Sequence, residues 1–198
     1  MAARPCIVGT EFCSTERSRM KIKVSDSVGG TLIVTTETQN TAFDAFACSP
    51  KSDGFTYLNG IVGRRIPRSE LDLACQASID RDEVCILPSD ASKDRRVLIV
   101  PNAGASNAMG RQSAARLMAD LFRATQTEGV EAGTLLVTHF GCTRSYPQAH
   151  VLGICDAIIE LKRHSFLGLA VLGFDVAHSI RAAFERDVKS ALADQNAS

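Results

Sequence analysis

The run Thr138-His139-Phe140-Gly141-Cys142-Thr143-Arg144-Ser145-Tyr146-Pro147 gathers several groups able to do chemistry. Paired phosphates need hydrogen-bond donors that converge on a concave surface. A turn at Gly141, followed by a helix starting near Pro147, supplies backbone N–H groups together with the positive end of a helix dipole. Arg144 and the hydroxyls of Thr143, Ser145 and Tyr146 add further donors. Gly141, Cys142, Thr143, Arg144, Ser145 and Tyr146 are therefore the candidate ligand-binding turn. The plainer reading of the same residues is a polar turn that joins a strand to a helix.

His139 and Cys142 also have H-x-x-C spacing at the end of a strand. Zinc that keeps an open catalytic position needs at least three protein ligands, and here the third would be Cys48 or Cys85. A thiol at a helix N-terminus beside a histidine has a lowered pKa, so Cys142 is also a candidate nucleophile. No orienting carboxylate can be assigned to it, and an inert packing cysteine is the plainer alternative. His150, His164 and His178 stand singly on helices or helix starts and read as surface or cap groups.

Elements that would position these residues follow from the hydrophobic pattern. Ile22 to Val24, Leu32 to Thr35 and Phe43 to Cys48 are short β-branched or apolar runs, the first two separated by the turn signal Gly29-Gly30. Ser69 is placed to cap a helix through Ala77, with Glu70 at its positive end. Val84 to Leu87 and Val97 to Val100 read as strands flanking a polar turn from Pro88 to Arg96. Both are apolar on consecutive positions, as expected of strands covered on two faces. Ala114, Leu117, Met118, Leu121 and Phe122 define one helical face.

Leu135 to Val137 is the next strand, and Val151, Ile154, Cys155, Ile158 and Ile159 form the buried stripe of the helix after Pro147. Leu169 to Phe174 is the last strand, Asp175 follows it, and Ile180, Phe184 and Val188 line a closing helix. Early strands followed by strands alternating with helices predict an α/β fold, a mixed central sheet with helices on both sides. Ligands of such sheets bind outside the carboxyl ends of the strands. The segments Ser49 to Gly63, Thr138 to Tyr146 and Asp175 onward are thus the places to look for function.

A chain of 198 residues fits one core. Its 45% apolar and 22% charged content is that of an ordinary packed domain. Lys plus Arg equals Asp plus Glu at 22 each, so no net field favours a nucleic-acid backbone or an anionic membrane. The cysteines at 6, 13, 48, 75, 85, 142 and 155 lack paired spacing, and no signal-peptide pattern precedes them, which points to reduced thiols and a cytoplasmic location. No apolar stretch reaches the roughly 20 residues of a membrane helix. Residues 1–19 read as an irregular extension, with Met20 as an alternative start, and 20–198 as the domain.

From about Met20 onward, this order of elements resembles the macro domain, a three-layer α/β/α fold that binds ADP-ribose. Phe43-Asp44-Ala45-Phe46-Ala47-Cys48 occupies the place of that family's "DAIVNAAN" strand, and Leu71 to Ser78 followed by Val84 and Val97 resembles its helix, strand, strand segment. Val137 to Pro147 falls where the family has "STGVYGYP", and Val171-Leu172-Gly173-Phe174-Asp175 looks like its closing "VxFD" strand. The resemblance implies binding of ADP-ribose or a related nucleotide diphosphate, free or on an ADP-ribosylated target, without a cofactor.

It further implies that Phe174 presents a ring to adenine and Asp175 a carboxylate to its exocyclic amine. The ordinary alternative is a core phenylalanine and a helix-capping aspartate. Asp53, Asn59 and Gly60 lie in the loop expected over the ribose, where solvated turn residues are common. In catalytic members an asparagine contacts the distal ribose; its place here falls near Lys51. Phe140-Gly141-Cys142 resembles the "GCG" loop of the branch that hydrolyses ADP-ribosyl links, but Thr143, Arg144 and Ser145 supply no acid and Pro88 stands where that branch has lysine.

A second resemblance is to β-class carbonic anhydrases, through His139-Phe140-Gly141-Cys142 and the upstream Pro101-Asn102-Ala103-Gly104. It implies a zinc-dependent lyase or hydrolase using Cys48 or Cys85, although neither cysteine is followed by that family's C-x-D-x-R pattern. A third expectation is an interaction protein that keeps the fold without the ligand.

Overall fold

The computed structural model describes residues 19–39, 41–48, 67–81, 83–87, 96–100, 110–127, 133–138, 148–166 and 168–193. The strands are β1 (Lys21–Ser25), β2 (Thr31–Thr35), β3 (Ala45–Cys48), β4 (Cys85–Ile86), β5 (Arg96–Ile99), β6 (Thr134–Thr138) and β7 (Val171–Asp175). The described helices are α1 (Arg68–Arg81), α2 (Arg111–Thr127), α3 (Gln148–His164) and α4 (His178–Ala193). Each apolar run expected to be a strand is one, within a residue or two at its ends. Ser69 does not precede its helix: α1 starts at Arg68, and the Pro67 carbonyl accepts from the amides of Glu70 and Leu71. The fixed φ of proline suits that entry into the first turn.

The strands form one mixed sheet in the order β1-β2-β7-β6-β3-β5-β4. β1 and β4 run antiparallel to their neighbours, and β2, β7, β6, β3 and β5 are mutually parallel. Because side chains alternate along a strand, each strand feeds two faces. Leu32, Val34, Ala45, Ala47, Leu98, Val100, Leu135, Val137, Leu172 and Phe174 join one large cluster with α2, α3 and α4. On the opposite face Val97 and Ile99 meet Leu71, Ala74 and Cys75 of α1. Phe46, Leu136 and Val171 of that face pack with Phe43, which approaches Gly173 so closely that a Cβ there would lie 2.5 Å from the ring tip.

Polar groups fasten the sheet to its helices. Asp26 accepts from the amides of Val28 and Gly30 within the hairpin and of Phe166 beyond α3, and these bonds hold its carboxyl below the usual carboxylate range. Gly29 in this turn has φ +92°, a conformation that glycine adopts without steric cost. At the other end of β1, the Met20 amide donates to Thr36 Oγ1 and Glu185 Oε1, and Thr36 Oγ1 donates to the same Glu185 oxygen at 2.5 Å. Arg19, the last residue of the expected extension, donates to Gln39 at 2.9 Å; residues 1–18 lie outside the described residues. Among the described residues no helix is long and apolar enough to cross a membrane.

Candidate functional site

Because the five parallel strands share a direction, their carboxyl ends share one edge of the sheet. Register places Ile99, Cys48, Thr138 and Asp175 in a single row across β5, β3, β6 and β7. Three intervals of about 4.8 Å between strands make that row roughly 14 Å wide. From it emerge residues 49 onward, 139 onward and 176 onward, the three segments singled out in the sequence. The strand ends that precede these segments, Cys48, Thr138 and Asp175, thus share one edge, although they span more than a hundred positions of the chain.

The central segment is flanked on both sides by described elements. Thr138 ends β6, and Gln148 opens α3, a helix of 17 residues whose start lies at the same edge. The first turn of such a helix carries free N–H groups and the positive end of the backbone dipole. Gly141, Cys142, Thr143, Arg144, Ser145 and Tyr146 stand between these two points and lie outside the described residues, as do Asp53, Asn59 and Gly60.

Phe174 and Asp175 are described, and they have different surroundings. Phe174 is 3% exposed, and its ring centroid lies 5.3 Å from that of Phe184 on α4. Its ring is placed as a core group, because the inward face of β7 at this position is the one that α4 covers. Asp175 is half-buried at the carboxyl end of the strand, beside Thr138 in register.

His150 departs from the expectation of a surface or cap group. It is 2% exposed in the first turn of α3, and burial pushes its pKa down to about 4. The imidazole is therefore neutral at pH 7, as suits a position where the helix dipole disfavours added positive charge. The sequence signal was present: His150, Ile154 and Ile158 are spaced by four residues and share one helical stripe. By contrast His164 and His178 are exposed.

The cysteines considered as a third zinc ligand are also separated by the fold. Cys48 is the register partner of Thr138, next to the start of the H-x-x-C segment, whereas Cys85 lies on the edge strand three positions away. His139 and Cys142 lie outside the described residues. Among the described residues no three His, Cys, Asp or Glu side chains come together in a cluster able to hold a metal ion.

No family model and no curated protein matches the sequence. The fold is similar to that of the Oceanobacillus iheyensis macrodomain with MES bound, at a TM-score of 0.58 and 12% identity over 90% of this chain and 100% of that one. The structure of the same macrodomain with ADP gives 0.58 and 12% over 89% and 99% of the two chains. A mutant of it with ADPR gives 0.55 and 14% over 91% and 100%. The chain has the macro-domain fold, reached with a sequence far from those of the structures that share it.

Proposed function

We propose that the chain binds ADP-ribose or a related nucleotide diphosphate along the carboxyl edge of its sheet. The observation that carries this reading is the junction of β6 and α3, where a strand end and the start of a long helix bracket a glycine-containing segment rich in donors. Backbone N–H groups from Gly141 to Tyr146 would cradle the phosphates, with Arg144 supplying positive charge. Asp53, Asn59 and Gly60 would border the ribose. Asp175 would accept from the adenine amine, and Phe174 would act as a positioning residue, holding Asp175 in place through its packing on Phe184.

Support also comes from the shared fold, since its relatives include a macrodomain with ADP and one with ADPR. Recognition without hydrolysis is the reading favoured by the sequence, because residues 143–145 include no acid and Lys51 stands near the place of the ribose-contacting asparagine. The natural partner would then be ADP-ribose, free or attached to a protein.

Calorimetric titration with ADP-ribose tests this directly. Micromolar binding is expected, abolished by Gly141→Glu and weakened about tenfold by Arg144→Ala, roughly the loss of one charge-assisted hydrogen bond. No heat at millimolar ligand would overturn the reading. One zinc per purified chain, lost on changing His139 or Cys142, would replace it with the zinc enzyme.

A further inference from the structure

The cysteines at 75, 85 and 155 occupy two kinds of surroundings. Cys155 is buried in α3, and its thiol is pushed up to about 12 by burial, which makes it an inert packing group. Cys75 and Cys85 instead share one small apolar cluster. Cys75 faces the sheet from α1 beside Leu71 and Ala74, and Cys85 of the edge strand packs against the same group. All three thiols are free in this structure.

The two thiols of that cluster differ in access. Cys75 is 7% exposed, while Cys85 is half-buried and lines a cavity of about 300 Å³ with Ser78, Arg81, Glu83, Ile86 and Ala124. Burial pushes Cys75 up to about 11 and raises Cys85 as well, but the Arg81 guanidinium counters part of the rise at Cys85. Cys85 is therefore the thiol that a reagent from solvent meets first. Cys75 is the one positioned behind it.

We propose that Cys75 and Cys85 form a reversible disulfide that ties α1 to the edge strand β4. With a small aliphatic disulfide such as oxidised glutathione as the oxidant, the Cys85 thiolate attacks one of its sulfurs. The reagent's S–S bond breaks, one small thiolate leaves and a mixed disulfide forms. The Cys75 thiolate then attacks the Cys85 sulfur and expels the second small thiolate. Two protein thiols lose their protons and are oxidised together, and one small disulfide is reduced to two thiols that take up those protons.

The position of the pair gives the bond a structural consequence. On its inner side α1 rests on the cluster of Leu71, Ala74 and Cys75 and on Ser78, whose hydroxyl donates to the Glu83 carbonyl at 2.8 Å. Leu73 and Ile79 of the same helix are exposed. A covalent tie would therefore add much to a helix with few buried anchors. It would require the two Cα atoms to come within about 7 Å.

Tryptic mapping without reduction tests the proposal unambiguously, because Ser69 to Arg81 and Asp82 to Lys93 each contain a single cysteine. The folded full-length chain is incubated with oxidised glutathione and its free thiols are then capped. The expected product is the linked pair of these two peptides, lost on treatment with dithiothreitol and absent from Cys75→Ser, in which Cys85 instead retains glutathione. Glutathione retained on Cys85 in the unmodified chain would overturn the proposal. So would a linked pair seen only when the chain is oxidised in urea.

Discussion

On one face of the sheet, alternate residues of the strands run into a single continuous cluster beneath α2, α3 and α4. On the other, two smaller clusters sit under α1 and around Phe43. The same strands supply both faces, so the difference comes from what packs against them. α3 lies so close to α2 that a Cβ on Gly153 would fall 2.1 Å from the Arg111 carbonyl oxygen, and Arg111 clasps Asp156 through two hydrogen bonds. α1 carries only a short apolar stripe. Stability is thereby concentrated on the three-helix face, and the start of α3 is held firmly where the candidate ligand loop must join it.

The largest expected effect tests that asymmetry. Ile158→Ala removes a fully buried side chain from the large cluster and should cost about 4 kcal/mol in chemical denaturation, whereas Leu71→Ala under α1 should cost about 2, because a small cluster at the sheet's edge collapses more readily. Equal costs would break the comparison.

Next in size is the response to acid. His150 titrates near 6.5 when unfolded and near 4 when folded, so the unfolded chain binds the proton more tightly. Stability is full above pH 6.5 and falls as the pH drops to about 4, by roughly 3 kcal/mol from this group. His150→Gln should flatten the unfolding free energy over that window relative to the unaltered chain. An unchanged slope would show that the imidazole is not held neutral.

Two glycines sharpen the contrast between faces. Gly153→Ala meets backbone and should cost about 2 to 3 kcal/mol, while Gly173→Ala meets a side chain, the rim of the Phe43 ring, and should cost less, about 1. Thermal unfolding of both variants ranks them, and the reverse order would mean that the Phe43 cluster is the stiffer one. The smallest effect is expected at Leu73→Lys. This α1 side chain is 71% exposed, so its replacement should shift stability by less than about 0.5 kcal/mol.

Legibility of the sequence varied with the range of the interaction that produced each feature. Runs such as Leu135 to Val137 marked strands because residues covered on both faces must all be apolar. The stripe Val151, Ile154, Cys155, Ile158 marked α3 because helical spacing repeats locally. Position 150 belonged to that stripe too, and reading its histidine as polar by type concealed a burial that its spacing implied. Of the candidate site, the strand ends from which its three segments leave were legible from element order. The direction of Phe174 was not, because it depends on where α4 docks.

Element type and succession were thus determined by the sequence itself, since periodicity of two or 3.6 is set by neighbours along the chain. The insertion of β3 between β6 and β5 was decided only in the tertiary structure, where strands distant in sequence exchange hydrogen bonds. The common row of Ile99, Cys48, Thr138 and Asp175 arose with it. Such pairings leave no local periodic trace, because their free energy comes from burying faces that meet only when the whole sheet is assembled.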